Sequence, residues 1–366
     1  MKKNKWNIYA MSAVGALWLV IALFAWLRPA DASSDAERRE LAQFPEISSE
    51  KLLDGTFMTD FEKYTLDQFP LRDGFRKLKA GVHYYVLGQR DNNDIYLSDG
   101  YAAKLEYPLN EKSLTHALQV FGDLKDKYLQ DSKIYAAVVP DKNFYLAEKL
   151  GYPSMDYDTL LQTLQQEMSY AQYVDLTDCL TIEDYYHTDT HWRQERLLEA
   201  AQKLCNAMGV TPPKEEDYRV EKAEKPFYGV YYGQAALPME PDELYMLESD
   251  LLNECKVFNF ETNSYTDIYD LQKLDGKDLY EVYLSGSVSL LRIENPNAQT
   301  DKELIVFRDS FGSSMAPLLA QGYKTVTLVD VRYISSQMLD RFVEFNGQDV
   351  LFLYSTLVLN NSFMLK

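Results

Sequence analysis

The chain has 366 residues, a length that suits one large α/β domain with an insertion. Hydrophobic residues make up 46% of it, with 28 Tyr and 17 Phe among the residues, so a buried core is expected and intrinsic disorder is not. The formal net charge is −19, and setting aside residues 1–28 removes four basic and no acidic residues, which leaves −23. Such a surface repels nucleic acid, and we predict no nucleic-acid partner.

The first predicted element is an apolar N-terminal helix. Three lysines, Lys2, Lys3 and Lys5, precede a stretch from Trp6 to Leu27 that contains no charged residue, and Arg28 follows it. As a helix, a stretch of this length spans roughly 33 Å, which is enough to cross the hydrocarbon core of a bilayer. The pattern therefore predicts a membrane-spanning segment.

A cleavable signal peptide is the alternative to a retained anchor. Ala30-Asp31-Ala32 resembles a cleavage site, but the apolar region of a signal peptide is usually only about 7 to 15 residues long. We therefore predict a retained anchor over residues 1–28. The lysines before it favour a cytoplasmic N-terminus, so the predicted location is the cell membrane, with a single span and an extracytoplasmic C-terminal domain.

The rest of the chain is predicted to form a tether followed by one catalytic domain. Residues 29–46 are polar and charged, which suits a tether, and residues 47–366 form the domain. Early in that domain the apolar run KIYAAVVP at 133–140 predicts a buried strand, and a helix near 157–171 and a short strand at 173–176 follow. From about 211 to 298 the chain is rich in Tyr, Gly and hairpin-like segments, which indicates an irregular insertion.

Strands and helices then alternate to the end of the chain. The predicted strands are 304–307, 325–330 and 350–354, and the predicted helices are 311–321 and 335–345. Strand, helix, strand, helix, strand is typical of a parallel sheet, so the expected fold class is α/β.

Ser310 lies where one of these strands gives way to a helix, in IVFRDSFGSSMAPLL at 305–319. Open α/β sheets place their sites at the carboxyl ends of the strands, and a helix N-terminus offers N–H groups to a developing oxyanion there. The alternative is structural, because Asp309 and Ser310 belong to the residue types that commonly cap helices.

Two of the chain's four histidines lie in YYHTDTHW, residues 185–192. In an extended segment the side chains at i and i+2 point to the same side, so Asp189 can orient the ring of His191 and leave its other nitrogen as a base. A serine is a weak nucleophile without such a partner. A metal cluster that includes His187 is one alternative, but a metal needs three or four ligands and the other two histidines lie in unrelated polar stretches. A packed loop is the other alternative, and we predict neither a metal nor a cofactor.

Together these stretches resemble the DHHW family and the related alginate O-acetylation proteins, which have an SGNH-hydrolase-like domain. The matching stretches lie between residues 37 and 333: ERRELAQFP, FEKYTLDQFPLRD, VVPDKNFY, YYHTDTHW, VFRDSFGSSMAPLL and VDVRY. The pairing of Asp-x-His-Trp with Asp-Ser is the more specific part of this signal. The resemblance implies a parallel sheet flanked by helices, circularly rearranged because the Asp/His pair precedes the serine, with an irregular insertion.

The resemblance also implies residue roles. Ser310 would be the nucleophile, His191 the general base and Asp189 the carboxylate that orients it. Two positions depart from the family pattern. Arg308 stands where the Gly-Asp-Ser pattern has glycine, and Thr190 stands where the DHHW name has its first histidine, as in the alginate proteins.

Further residues are candidates for substrate binding or for the oxyanion hole. Arg332 and Tyr333 match the family's Asp-x-Arg-Tyr stretch and can face the same site, although a salt bridge is the alternative for the arginine. Trp192 can stack on a sugar ring or pack behind His191. The oxyanion-hole candidates are Gly286, Asn143 and Asn360.

By this resemblance the protein is a membrane-anchored extracytoplasmic O-acetyltransferase that transfers acetyl to a cell-surface or exported polysaccharide through an acetyl-serine intermediate. The expected partners are the polysaccharide acceptor, a membrane-bound O-acyltransferase that supplies acetyl, and the membrane through the N-terminal helix. A polysaccharide acetyl esterase is one alternative, and a catalytically silent glycan-binding scaffold of an export complex is another. The sequence does not separate transfer from hydrolysis.

Overall fold

The computed structural model of the protein describes residues 2–34 and 36–366, which divide into two compact units. The N-terminal unit contains the residues up to 93 and a short segment, 232–238. The sheet unit contains residues 94–231 and 239–366. The domain boundaries expected from the sequence remain a prediction.

The helices and strands of the described residues have the following bounds. The helices are α1 Lys2–Leu27, α2 Ser49–Leu53, α3 Thr56–Asp67, α4 Arg72–Gly81, α5 Glu111–Tyr128, α6 Lys142–Leu150, α7 Tyr157–Glu167, α8 Leu198–Met208, α9 Val230–Ala235, α10 Asp250–Glu254, α11 Gly312–Leu319 and α12 Thr356–Asn360. The strands are β1 Ser33–Ser34, β2 Arg39–Glu40, β3 Ile95–Ser98, β4 Tyr101–Lys104, β5 Ile134–Val139, β6 Gln172–Tyr173, β7 Arg219–Lys222, β8 Tyr245–Glu248, β9 Lys256–Asn259, β10 Ser264–Thr266, β11 Leu290–Glu294, β12 Glu303–Arg308, β13 Thr325–Val329 and β14 Asp349–Ser355. A π-helical turn, Val82–Val86, continues α4.

The N-terminal unit consists mainly of helices α1 to α4. The apolar stretch that the sequence predicts is observed as α1, which is long and apolar enough to cross a membrane and leaves its apolar side chains exposed. At its end, Trp26 contacts the rings of Phe44 and Phe61, at centroid distances of 6.4 and 6.5 Å. These contacts join the last turn of α1 to the aromatic side of α3.

The sheet unit is built around an eight-stranded sheet in the order β10, β9, β11, β13, β12, β14, β5, β6. The five strands from β13 to β6 run parallel to one another, and β11, β9 and β10 extend the sheet by antiparallel pairing. In β12, Leu304 and Val306 belong to one hydrophobic cluster, whereas Ile305 and Phe307 belong to another. A strand buried on both faces requires such a continuous apolar run, and the predicted α/β class with a helix-flanked parallel sheet is confirmed.

Two expectations from the sequence differ from the structure. The region 211–298 is not only an irregular insertion, because its strands β9, β10 and β11 complete the sheet edge; antiparallel strands need only short connections and so leave no βα pattern in the sequence. The helix expected at 335–345 is a 3₁₀ helix, Ser336–Arg341. Only Ser336 and Leu339 of that helix are buried, so little packing supports a longer α-helix.

Candidate active site

Ser310 lies in the turn between β12 and α11, at the carboxyl end of a central parallel strand. The preceding Asp309 is fully buried and holds this turn: its Oδ1 accepts the Phe311 N–H at 3.0 Å and its Oδ2 accepts the Ser355 N–H at 2.8 Å. Helix α11 has Phe311 as its N-cap residue, and among the described residues no side chain caps it. The Ser310 hydroxyl therefore does not cap this helix, and it contacts His191 instead.

The three side chains that the sequence singled out lie in hydrogen-bond contact. Ser310 Oγ is 2.8 Å from His191 Nε2, and Asp189 Oδ1 is 2.6 Å from His191 Nδ1. Asp189 is fully buried and also accepts the backbone N–H of Val230 on its Oδ2, at 2.8 Å. A carboxylate held in this way keeps a proton on Nδ1 and leaves Nε2 free to accept the hydroxyl proton.

Aromatic rings fix the plane of the His191 imidazole. The ring of Tyr280 stacks on it, with centroids 3.8 Å apart and an interplanar angle of 8°, and Phe311 lies 5.0 Å away on a tilted plane. The Tyr280 hydroxyl lies 2.8 Å from Ser314 Oγ, in α11. Because Tyr280 is itself buried, the imidazole is held at one orientation toward Ser310.

Trp192 is fully buried, so its ring has no surface on which a sugar could stack. Its Nε1–H donates to Phe311 O at 3.1 Å and to Ser314 Oγ at 2.8 Å. Of the two alternatives for this residue, the structure shows packing behind His191.

The alternating His-x-Asp-x-His segment is divided between two carboxylates. His187 turns to Asp242, with Nδ1 3.1 Å from Oδ1, and its ring stacks on Tyr101. Asp242 also accepts both backbone N–H groups of His187 and Thr188, and the Thr188 hydroxyl. Burial raises the pKa of Asp242, but these hydrogen bonds outweigh it and the pKa is lowered overall. Asp242 thus holds the loop, and the His187 ring contacts Asp242, whereas the His191 ring contacts Asp189.

Lys142 is a buried cation beneath this loop. Its Nζ donates to the backbone oxygens of Tyr186 and His187, at 2.9 and 3.1 Å, and lies over the rings of Tyr231 and Tyr101. Burial lowers the pKa of Lys142 to about 7, although Asp189 and Asp242 act in the opposite direction. The lysine therefore ties the histidine-bearing loop to the start of α6.

This depressed pKa predicts a pH dependence of stability. Below pH 7 the folded and unfolded chains both carry the charge, and the burial penalty is present in full. Between about 7 and 10.5 the folded chain loses the proton first, so the unfolded chain binds more protons and stability rises with pH. Compared with Lys142→Gln, the protein should gain on the order of a few kcal/mol in free energy of unfolding across this window. Urea unfolding at several pH values measures this, and parallel profiles for the two proteins would contradict it.

Gly229 leaves room for the backbone of Asp189. A Cβ at this position would lie 2.3 Å from the Asp189 Cα, and the Gly229 N–H donates to the Thr188 hydroxyl at 2.8 Å. Any side chain at 229 must therefore displace the loop that carries Asp189 and His191.

We expect Gly229→Ala to lower the free energy of unfolding by about 1 to 3 kcal/mol, the usual cost of overpacking. Because the added methyl group displaces Asp189, the variant should also react more slowly with a reagent that labels Ser310. Gly122→Ala is the matched control: a Cβ there meets nothing within 4 Å, and alanine is the better residue inside helix α5. Urea unfolding and intact-mass labelling rates measure both effects. Equal labelling rates in the two variants would show that the loop tolerates the side chain.

A buried ion-pair group lies next to the Ser310 turn, where Arg308 donates a hydrogen bond to Asp309 O at 3.3 Å. Asp330 binds Arg332 through two side-chain hydrogen bonds, at 2.8 and 2.6 Å, and lies 3.5 Å from Arg308. Arg308 fills the space left by Gly312, where a Cβ would come within 2.7 Å of the Arg308 side chain. The arginine that replaces glycine in the family pattern is thus accommodated by a glycine four residues later. For Arg332, the structure shows the salt bridge that was the alternative to substrate binding. Tyr333 lies beside it and is half exposed.

The predicted oxyanion-hole candidates have other partners. The Gly286 N–H donates to Tyr283 O; Asn143 accepts from the Tyr96 hydroxyl and donates to Pro153 O; and Asn360 donates to Glu106 and Pro108 O. At the Ser310 turn, the N–H groups of Phe311 and Gly312 are both used by Asp309. Within the described residues the Ser310 N–H has no such acceptor, which makes it the available donor beside Oγ.

A family model, described as DHHW protein, matches residues 175–329, which include Asp189, His191 and Ser310. The resemblance to the DHHW family is confirmed. No curated protein matches the chain.

Several solved structures share the fold of this chain, among them the following two. A DHHW family protein from Eubacterium siraeum aligns with a TM-score of 0.60 at 20% sequence identity, covering 75% of this chain and 95% of that one. PatB1 from Bacillus cereus, in a structure with a sulfonyl adduct, aligns with a TM-score of 0.58 at 19% identity, covering 74% of this chain and 96% of that one.

Four residues that shape the candidate site were not singled out from the sequence: Lys142, Gly229, Asp242 and Tyr280. Lys142 lies in VVPDKNFY, one of the stretches that carry the family resemblance, and Gly229 lies in the Tyr- and Gly-rich region that was expected to be an insertion. The other two have no local motif and are brought to the loop by long-range contacts. The signal in the sequence for Lys142 was its position directly after the Pro-Asp that ends a predicted buried strand.

Proposed function

We propose that the protein is a membrane-anchored extracytoplasmic O-acetyltransferase that acts on a cell-surface or exported polysaccharide through an acetyl-Ser310 intermediate. The observation that carries the proposal is the contact of Ser310 Oγ with His191 Nε2, with Asp189 on the other ring nitrogen. This arrangement activates a hydroxyl for attack on an acyl group. The DHHW match supports the same assignment.

In the first half-reaction Ser310 Oγ attacks the carbonyl carbon of the acetyl donor while its proton passes to His191 Nε2. The tetrahedral oxyanion faces the Ser310 N–H, and Asp189 stabilises the doubly protonated imidazole. Collapse breaks the bond to the leaving group, which takes the proton from Nε2. The products are acetyl-Ser310 and the free leaving group.

In the second half-reaction a sugar hydroxyl attacks the acetyl carbon and gives its proton to His191 Nε2. Collapse of this second tetrahedral intermediate breaks the bond to Ser310 Oγ, which recovers the proton. The acetyl group has then moved from donor to polysaccharide with the enzyme unchanged. The same steps with water in place of the sugar describe an esterase, so access of the acceptor decides between them.

The proposal places this chemistry outside the cytoplasm. Helix α1 supports a membrane anchor by length, composition and exposed apolar surface, and the lysines before it favour a cytoplasmic N-terminus. Acetyl groups activated in the cytoplasm must then cross the bilayer, and the family resemblance implies a membrane-bound O-acyltransferase as the partner that supplies them.

The test is acetyl transfer by the full-length protein in detergent. The chain is incubated with an activated acetyl ester and an oligosaccharide, and mass spectrometry follows the acetylated sugar, free acetate and the intact protein. We expect an acetyl adduct on the peptide containing Ser310 and more acetylated sugar than can be explained by direct reaction with the ester.

The outcomes separate the three functions. An adduct that yields only free acetate with every sugar tried would favour the esterase. No adduct with any donor, together with glycan binding that Ser310→Ala leaves unchanged, would favour the scaffold.

A further inference from the structure

Helix α4 and its π-helical turn have an exposed apolar face. Leu71, Phe75, Leu78, Val82 and Val86 follow one another at spacings of four, three, four and four residues, which places them along one side of a helix. Every one of them is exposed, from 39% at Val82 to 75% at Leu71. A surface helix of a soluble protein normally directs such a face to the core.

The buried side of the same helix is polar. Arg72 and Arg76 reach Glu37, with closest distances of 2.5 and 3.3 Å, and Arg76 also donates to the backbone oxygen of Gly233 at 2.9 Å. Ala80, one turn further along, is fully buried. The helix is thus fixed to the N-terminal unit by its polar side, and its apolar side is directed outward.

The charge of this helix is opposite to that of the chain. Between Arg72 and Gly81 there are four basic residues, Arg72, Arg76, Lys77 and Lys79, and one acidic residue, Asp73, whereas the chain has a net charge of −19. Lys77 and Lys79 are exposed. A helix with an apolar face and basic flanks is typical of segments that lie in the interface of an anionic bilayer.

The same unit contains the membrane-crossing candidate α1. Trp26, in the last turn of α1, contacts Phe44 and Phe61, so the end of the span is packed against the α3 side of this unit. Tryptophan at the end of a span marks the level of the lipid headgroups. A second copy of the chain is a poorer occupant for the face, since it would bring two basic helices together.

We propose that α4 and the π-helical turn lie on the outer lipid surface of the membrane that α1 crosses, with the apolar face buried about 5 to 10 Å into the headgroup and acyl boundary. This inference rests on the anchoring role of α1 in the proposed function. Lys77 and Lys79 lie at the level of the anionic headgroups. The occupant of the face is lipid.

A cavity beside α4 fits this placement. It has a volume of 640 Å³ and is lined by basic residues, Arg72, Arg76 and Lys79, and by apolar ones, Leu66, Phe69 and Phe75. Glu37, Asp67 and Asp73 pair with the two arginines, so among the described residues Lys79 is the basic group of the lining that remains for an anionic headgroup.

The experiment uses the full chain in vesicles of phosphatidylcholine with phosphatidylglycerol, and in vesicles of phosphatidylcholine alone. A photoreactive diazirine amino acid replaces Leu78 on the apolar face or, as the control on the same helix, the exposed Asp73. Intact mass after illumination identifies lipid adducts. We expect adducts at position 78 well above those at position 73, and more of them with phosphatidylglycerol present.

A charge variant tests the basic flank. Each basic residue near an anionic surface raises the partition by about fivefold, so Lys77→Glu with Lys79→Glu should lower the adduct yield at position 78 strongly. Lys51→Glu with Lys63→Glu, on α2 and α3, makes the same charge change away from α4 and should have the smaller effect.

Two results would overturn the inference. One is a chain that resists carbonate extraction yet gives no lipid adduct at position 78, and the other is an adduct to a second protein or a second copy when native membranes are illuminated. Carbonate extraction reports on α1 separately, and labelling of Ser310 reports on the proposed chemistry separately. Loss of membrane anchoring by α1 or loss of the chemistry at Ser310 can therefore be distinguished from loss of the lipid contact at α4.

Discussion

Replacing Ser310 by alanine should abolish formation of the acyl-enzyme entirely. The bond in question forms to Ser310 Oγ, and within the described residues this hydroxyl is the one in contact with His191 Nε2. No positioning effect can replace the lost atom, so the adduct should fall below detection and not merely form more slowly. Intact-mass measurement after treatment with an acetyl ester or with a sulfonyl fluoride checks this. The second reagent is chosen because a sulfonyl fluoride reacts with a serine hydroxyl that a neighbouring base activates.

Ser313→Ala is the matched control for this prediction. Ser313 lies three residues further along, in α11, and is buried, so the substitution removes a hydroxyl from the same surroundings. Its labelling should remain close to that of the unchanged protein. Labelling that persists in Ser310→Ala at the original rate would assign the nucleophile to another residue and remove the basis of the proposed mechanism.

Replacing His191 should slow acylation by about 10²-fold to 10⁴-fold, the usual contribution of a positioned general base. The substitution removes the acceptor of the serine proton but leaves Ser310, its backbone N–H and the Asp309 turn in place, which is why some reaction should remain. His191→Ala is followed by the time course of adduct formation. His187→Gln is the matched control two residues away: its side chain is 43% exposed and paired with Asp242, so its loss should change the rate by less than about tenfold.

Asp189→Asn extends the same test to the orienting carboxylate. Both oxygens of Asp189 accept hydrogen bonds, from the His191 ring and from the Val230 N–H, so an amide must turn its NH₂ toward one of these donors. The variant should lose about 1 to 3 kcal/mol of stability from the unsatisfied buried pair, and the imidazole should lose its favoured tautomer. A variant with unchanged acylation rate would show that Asp189 supports only the fold.

Parts of the fold follow from local patterns. The apolar runs that become β5, β12 and β14 are buried on both faces. A short continuous apolar run of this kind is typical of a buried strand in a parallel sheet. Alternation of such runs with helices predicts the parallel sheet. The antiparallel edge was not predicted, because β9 and β10 are short and partly exposed, and β11 pairs with β9 and β13, from which it is separated along the chain.

The candidate site likewise combines features that are local in the sequence with contacts that only the tertiary structure makes. The spacing of Asp189 and His191 and the strand-to-helix turn at Ser310 are local features, and the sequence alone identified them together with the apolar helix at the N-terminus. Tertiary structure alone decided that these two segments, 119 residues apart, meet at 2.8 Å, and that Tyr280, Gly229 and Lys142 hold the loop. It also decided that Trp192 packs inside and that α4 directs its apolar side outward. The physical reason is that residue type and spacing determine which side of a strand or helix a residue occupies, whereas the surface that covers that side is supplied by distant parts of the chain.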